Sequence, residues 1–195
     1  MFAPDLKGFG KNTGMSYPYS LDDYIAEARE YMYKNGLERP NVVAHSFGGR
    51  IAIKAAYSDP FLFSRLVLCG AAGLKPRKSL KKAFKKFAFG ALKRVVGREK
   101  LKRFYSPDYL ALDSVMRESF KLIVGEYLDY ALCGIKNPTL IVFGEKDRET
   151  PVYMAKRLHA GIKDSKLLII EGAGHFSFID KPFKFNTEVK EFLLS

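Results

Sequence analysis

The sequence predicts an α/β fold with a mostly parallel sheet that carries helices on both faces. The first observation is that several short apolar runs show no alternation of apolar and polar residues, which is typical of strands buried on both faces of a parallel sheet. These runs are 41–45, 65–69, 139–143 and 166–170. The second observation is that helical patterns alternate with them, which is the order of a doubly wound sheet. These helical patterns are 20–35, 47–58, 151–162 and 182–194.

The first elements have clear start and stop signals. Residues 2–4 are predicted to be the tail of a buried strand, which leads into the glycine-rich loop DLKGFGKNTG. Ser20 is followed by two acidic residues, which predicts an N-cap and the first turn of a helix. That helix runs to about Lys34, and Gly36 stands where a C-terminal glycine should end it.

The middle of the chain interrupts the alternation. The strand 41–45 passes directly into the helix 47–58, and the strand 65–69 follows. Residues 71–137 then form a lysine-rich insertion with helical patterns and few strand signals. We therefore predict that 1–70 and 138–195 form the core and that 71–137 form a basic helical cap over the sheet.

The positive charge of the protein is concentrated in one segment. The chain of 195 residues has a net charge of +12, yet residues 75–103 hold thirteen Lys or Arg and one acid, so the remainder is balanced. Apolar residues recur at helical spacing between 80 and 95, which predicts a cationic amphipathic helix. Three interpretations stay open: lysines that are only solvated, binding to anionic lipid, and attraction of an acidic substrate or acyl carrier. A nucleic-acid partner is not expected, because no recognised binding module is present.

A serine stands where the strand 41–45 turns into a helix. The sequence Val42-Val-Ala-His-Ser46-Phe-Gly-Gly is close to the pattern G-x-S-x-G, with Ala44 in place of the first glycine. A tight strand-to-helix turn requires small residues at 44 and 48, and it exposes the serine hydroxyl. The amide of Phe47 would then face a developing oxyanion at the start of the helix. A serine that only caps a helix is the competing interpretation.

An acid and a base follow two later strands at their carboxyl ends. Asp147 comes after the strand 139–143, and His175 comes after the strand 166–170. Ligands bind at this edge of open α/β sheets, so both side chains are predicted to lie near Ser46. An imidazole oriented by a carboxylate is the group that activates a serine hydroxyl. Glu145 is the near competitor for the acid, and a turn aspartate or a packing histidine is the structural alternative.

These landmarks resemble those of the α/β-hydrolase superfamily. The segments APDLKGFG, AHSFGG, PTLIVFGEKDRETP and GAGHF stand in the family's order, and the resemblance covers about 1–70 and 138–195. It implies that Ser46 is the nucleophile, Asp147 the acid and His175 the base. It also implies that the first strands of the fold are absent from this sequence, including the one that would lie between 2–4 and 41–45. The loop that supplies the second oxyanion amide is absent with them.

The resulting functional prediction is a serine hydrolase that acts on the ester or thioester of a small acyl substrate. The alternatives are a carbon–carbon bond hydrolase with the same three residues, and a weakly active or partner-dependent fragment with a basic binding surface. No metal or organic cofactor is implied. No N-terminal leader or apolar run of about 20 residues is visible, so a cytoplasmic location is the expectation.

Overall fold

A computed structural model describes residues 1–77 and 112–195, and four of its strands form one parallel sheet. The strands lie side by side in chain order, and each neighbouring pair is parallel. They are β1 Val42–His45, β2 Leu66–Cys69, β3 Thr139–Gly144 and β4 Ser165–Ile170. Every residue of β2 and β3 is buried, which agrees with the continuous apolar runs in the sequence.

Helices cover both faces of this sheet. The described helices are α1 Leu21–Lys34, α2 Phe47–Ser58, α3 Ser114–Gly125, α4 Val152–Gly161, α5 Ser177–Asp180 and α6 Pro182–Leu194, with a 3₁₀ turn at Asp129–Gly134. Buried side chains of α1, α2 and α4 pack in one core with Leu68 and Ile141 of the sheet. Phe185 and Phe192 of α6 pack in a second core with Val67 on the opposite face. The predicted doubly wound arrangement is therefore present.

The predicted start and stop of α1 are confirmed. Ser20 and Asp23 form a capping box, in which the Asp23 amide donates to Ser20 Oγ at 3.3 Å and the Ser20 amide donates to Asp23 Oδ2 at 2.7 Å. Gly36 has φ of +62°, which lets the chain leave the helix so that the Leu37 amide donates to the Met32 carbonyl. The helix bounded by these signals packs beside α2.

The prediction of a buried strand at 2–4 is wrong. Residues 1–6 have no regular secondary structure, and the Phe2 side chain is 54% exposed. Within the described residues, β1 pairs with β2 alone, and Val43 is 51% exposed. A strand is stable only when its main-chain groups pair with a neighbour, and nothing in the described part of the chain provides that neighbour for residues 2–4.

Much of the predicted cap lies outside the described residues. The amphipathic helix at 80–95 falls there entirely, and the basic segment 75–103 is described only for its first three residues. Arg157 of the core contacts both ends of the insertion: its Nη1 donates to the Lys75 carbonyl at 2.6 Å, and its guanidinium forms an ion pair with Asp129. None of the helices in the described ranges is long and apolar enough to cross a bilayer.

Candidate active site

Ser46 lies at a strained turn between β1 and α2. Its φ of 48° and ψ of −109° are unusual for a residue with a side chain. Two backbone hydrogen bonds hold this conformation in place. The Ser46 amide donates to the Cys69 carbonyl at 3.0 Å, and the Ala72 amide donates to the Ser46 carbonyl at 3.0 Å. The turn that the sequence predicted is therefore held by backbone contacts to β2 and the residues after it.

The sequence predicted that the tight turn needs a small residue at 48, but the close backbone contact is at Gly49. A Cβ on Gly48 would lie 3.9 Å from Ala44 Cβ, which is an ordinary contact. A Cβ on Gly49 would lie 2.5 Å from Ala71 Cβ, which no packed side chain tolerates. The close approach of α2 to the end of β2 therefore requires the second glycine.

Phe47 is the first residue of α2. The first amides of a helix have no partner within the helix, and they carry its partial positive charge. The Phe47 amide therefore stands where a negatively charged oxygen beside Ser46 would accept a hydrogen bond, and its role as an oxyanion donor stays a prediction. The Phe47 ring is held from outside by the rings of Tyr24 and Phe9, at centroid distances of 5.1 and 5.7 Å.

Asp147 and His175 are in direct contact. His175 Nδ1 lies 2.8 Å from Asp147 Oδ2, and both residues are buried. Asp147 Oδ1 accepts hydrogen bonds from the amides of Glu149 and Thr150 at 2.9 and 2.8 Å, and Oδ2 accepts one from Thr150 Oγ1 at 2.7 Å. An ionised carboxylate accepts and does not donate, so this contact places the hydrogen of a neutral imidazole on Nδ1 and leaves Nε2 as the acceptor.

Glu145, the competing acid, points elsewhere. Its Oε2 accepts a hydrogen bond from the Gly172 amide at 2.9 Å on the exposed side of the loops.

Glu149 was not singled out from the sequence, yet its Oε2 lies 3.5 Å from His175 Nε2, and its side chain is 69% exposed. Thr150 was also missed, and its hydroxyl lies 3.0 Å from the Gly70 carbonyl as well as near Asp147. The one sequence signal for Glu149 and Thr150 is that they follow Asp147 by two and three residues, where their amides can bind its carboxylate.

The loop that carries His175 is seated on the end of β3. A Cβ on Gly144 would overlap the carbonyl oxygens of Ala173 and Gly174, so the loop lies directly against the backbone there. The Lys146 amide donates to the Ala173 carbonyl at 2.8 Å. The position of the His175 imidazole is therefore set by main-chain contacts between the two loops that carry Asp147 and His175.

His45, the residue before Ser46, joins the nucleophile strand to the same loop. Its Nε2 lies 3.1 Å from the His175 carbonyl and must donate, because a carbonyl only accepts. The two imidazole rings are 4.6 Å apart between centroids. Within the described residues no hydrogen bond joins Ser46 to His175, and such contacts are often looser without substrate. The structure thus brings Asp147 and His175 together and places Ser46 one residue from a contact with His175.

Burial is the main reason why the pKa of His45 is lowered below its ordinary value of 6.5. The hydrogen bond to the His175 carbonyl raises it, the charge of protonated His175 lowers it, and Asp147 and Glu149 raise it. A histidine with a lowered pKa in the folded state stays neutral at a pH where the unfolded chain binds a proton. The stability contribution of His45 is therefore complete above pH 6.5 and is lost as the pH falls below it.

We expect the free energy of unfolding of the His45→Gln variant to depend less on pH than that of the wild type between pH 5 and pH 8. The glutamine amide places a donor near the position of His45 Nε2, which contacts the His175 carbonyl, but it does not titrate. The measurement is urea unfolding of both proteins at several pH values in this range. The outcome that would contradict the expectation is two curves that stay parallel throughout.

A cavity of about 430 Å³ opens at Ser46. Its floor is formed by the start of α2, and one wall is formed by α3 from the insertion. The lining residues are Phe9, Tyr24, Ser46, Phe47, Arg50, Ala72, Leu112, Met116, Ser119, Phe120, Ile123 and Val124. The walls are mainly apolar, so the cavity suits a group with a hydrocarbon body that reaches Ser46.

The family model of the Alpha/beta hydrolase family matches residues 1–188, nearly the whole chain. The protein belongs to the alpha/beta hydrolase family. Solved alpha/beta hydrolase structures share its fold. The family match and the relatives named as hydrolases make this alpha/beta hydrolase an enzyme of the hydrolase class.

Relatives of this alpha/beta hydrolase include proteins with and without assigned activities. An uncharacterised protein of Mycobacterium tuberculosis is 26% identical, over 99% of this chain and 67% of the relative. A 2-hydroxy-6-oxononadienedioate/2-hydroxy-6-oxononatrienedioate hydrolase of a Pseudomonas species is 28% identical, over 97% of this chain and 75% of the relative. The structure of an esterase from Exiguobacterium antarcticum has a TM-score of 0.75 at 24% identity and covers 97% of this chain and 80% of that one.

Proposed function

We propose that this alpha/beta hydrolase cleaves a carboxylic ester or thioester through an acyl-enzyme formed on Ser46. The observation that carries the proposal is the buried contact between Asp147 and His175, 2.8 Å long, beside the strained turn that holds Ser46. A serine hydroxyl is a weak nucleophile, and an imidazole oriented by a carboxylate is the common means of activating it.

The reaction follows from these positions. Ser46 Oγ attacks the acyl carbon while its proton passes to His175 Nε2, and the Phe47 amide stabilises the resulting oxyanion. The imidazolium is stabilised by Asp147 and returns its proton to the departing alcohol or thiol. Water then attacks the acyl-enzyme with His175 as the base again, which releases the carboxylic acid and restores the Ser46 hydroxyl.

The insertion is proposed to act as a cap for the acyl group. Its helix α3 supplies Met116, Phe120, Ile123 and Val124 to the cavity at Ser46. Arg50 of α2 and the backbone of α3 are joined by a hydrogen bond of 2.7 Å between Arg50 Nη1 and the Ile123 carbonyl. An apolar wall held in this way would exclude water from the acyl group during the reaction.

Carbon–carbon bond hydrolysis is a second candidate. It is favoured by the Pseudomonas relative, whose name describes a 2-hydroxy-6-oxo dienedioate hydrolase. The same Ser46, His175 and Asp147 would serve that reaction. A side-by-side assay with a simple ester and a vinylogous 1,5-diketone acid decides between the two, since the preferred substrate shows the larger kcat/KM.

A fluorophosphonate probe is expected to label the protein at Ser46, because an activated serine displaces fluoride from phosphorus and forms a stable adduct. The measurement is mass spectrometry of the intact protein followed by mapping of the labelled peptide. The same protein unfolded in urea is the control and should not be labelled. An adduct on another serine and none on Ser46, or ester turnover that persists in protein fully labelled at Ser46, would remove Ser46 from its proposed role.

A further inference from the structure

Four residues that line the cavity carry polar side chains: Tyr24, Ser46, Arg50 and Ser119. Those of Tyr24 and Ser119 are hydrogen-bonded to other parts of the protein. The Tyr24 hydroxyl donates to the Lys7 carbonyl at 2.9 Å. Ser119 Oγ donates to the Val115 carbonyl at 3.1 Å and accepts from the Tyr19 amide at 2.9 Å. The polar side chains that remain for a ligand in the described part of the cavity are those of Ser46 and Arg50.

Arg50 is a buried cation whose hydrogen bonding is incomplete. Its side chain belongs to a residue only 9% exposed, and Nη1 donates to the carbonyls of Ile123 and Glu126 at 2.7 and 2.9 Å. Within the described residues, Nη2 and Nε have no hydrogen-bond acceptor, although the guanidinium has five N–H donors. Among the described residues, Asn137 Oδ1 is the fully buried side-chain polar atom that lacks a hydrogen-bond partner, so Nε and Nη2 of Arg50 are not sealed in the core. Arg50 lines the cavity, where a ligand can reach these donors.

No carboxylate of the described residues pairs directly with Arg50. Glu126, the acid next to one of its backbone acceptors, instead binds Lys54, with 2.9 Å between Lys54 Nζ and Glu126 Oε1. Lys54 also contacts Asp22 at 2.8 Å. Burial is the largest influence on the Arg50 guanidinium and lowers its pKa, although arginine remains charged in proteins. An anion from outside the protein would therefore complete this environment.

The side chains of Ser46 and Arg50 stand at the start of α2, at a spacing that a small molecule can bridge. Ser46 precedes the first residue of α2, and Arg50 follows four positions later, about 6 Å along the helix axis. Residues at this spacing lie on the same side of a helix. A molecule whose acyl carbon sits at Ser46 can thus present a second group to Arg50 within a few bonds.

We propose that the acyl group hydrolysed at Ser46 carries a carboxylate that binds Arg50, so that the substrate is a monoester or monothioester of a short dicarboxylic acid. The assignment rests on the hydrolase function proposed above and adds the class of acyl group. A planar guanidinium with free N–H groups on two nitrogens matches the two oxygens of a carboxylate. The apolar walls would contact the hydrocarbon chain between the two carboxyl carbons.

The test compares monoethyl glutarate with ethyl pentanoate, two ethyl esters whose acyl chains have the same number of carbon atoms. Ethanol release gives kcat/KM for the wild type and for the Arg50→Met and Arg50→Lys variants. We expect the wild type to prefer monoethyl glutarate and the Arg50→Met variant to lose about 10²-fold more kcat/KM on that ester than on ethyl pentanoate, because a buried charge pair is broken. Arg50→Lys should recover part of the loss. The exposed Arg29→Met variant on α1 is the matched control and should retain the preference.

A purely structural role for Arg50 gives a different result. Loosening of α3 would lower kcat/KM for both esters by the same factor, and that outcome overturns the proposal. A second measurement does not depend on turnover: glutarate should raise the Tm of the Ser46→Ala variant and should have no effect once Arg50→Met is added. If the wild type cleaves neither ester while glutarate still raises Tm through Arg50, the hydrolase function fails and the carboxylate site stands. Absence of any Arg50-dependent rise in Tm overturns the site itself.

Discussion

Replacing Ser46 by alanine is expected to lower ester turnover by a factor on the order of 10⁶, the loss seen when the nucleophile of such a site is removed. Among residues 1–77 and 112–195, Ser46 is the hydroxyl-bearing residue at the strained turn before α2, next to the Phe47 amide. The backbone should not change, because alanine has a side chain that begins with the same Cβ and meets the same strain at φ of 48°.

The measurement is kcat/KM for a short ester, with circular dichroism to show that the variant is folded. Ser58→Ala is the matched control: Ser58 is at the other end of α2, and its hydroxyl only donates to the Lys54 carbonyl at 2.9 Å. That variant should keep wild-type turnover. Turnover by Ser46→Ala within about tenfold of the wild type would show that the acyl-enzyme does not form on this residue.

Replacing Asp147 by asparagine is expected to lower turnover by about 10⁴-fold through the wrong histidine tautomer. The amides of Glu149 and Thr150 both require an acceptor at the position of Asp147 Oδ1, so the asparagine oxygen must occupy it. The asparagine NH₂ then faces His175 Nδ1 and donates to it. The imidazole hydrogen moves to Nε2, which can no longer accept the proton of Ser46.

Glu145→Gln is the matched control, because it makes the same change from carboxylate to amide two residues away. Glu145 contacts the Gly172 amide and not His175, so its variant should keep wild-type turnover within about threefold. The comparison uses kcat/KM at several pH values, since a change of tautomer lowers the whole profile. A larger loss for Glu145→Gln than for Asp147→Asn would reverse the assignment of the acid.

Local sequence signals predicted most of the fold. The continuous apolar runs predicted the parallel strands, and β2 and β3 are fully buried as expected. Ser20 and Gly36 predicted the ends of α1, because caps depend on residues within one turn of each other. The prediction for 2–4 failed since a strand depends on a partner distant in sequence, which no local pattern reveals.

For the candidate site too, one part was predicted from the sequence and another part was decided only by the folded structure. The positions of Ser46, Asp147 and His175 after strands predicted that all three would meet at one edge of the sheet, since parallel strands end together. The choice between Asp147 and Glu145 depended on which carboxylate the amides at 149 and 150 hold toward His175. The resemblance favoured Asp147, but only the folded loops show that Asp147 contacts His175 while Glu145 contacts the Gly172 amide.

The sequence by itself determined the order of the elements, the strand-to-helix turn at Ser46 and the loops that carry the acid and base, because each depends on neighbouring residues and on the periodicity of burial. Tertiary structure alone decided that Gly49 meets Ala71, that His45 holds the His175 carbonyl and that Arg50 lines the cavity at Ser46. These contacts join elements far apart in the chain. Such contacts form only if the packed elements lie at the right distance from each other, and that distance is set by the packing of the whole core.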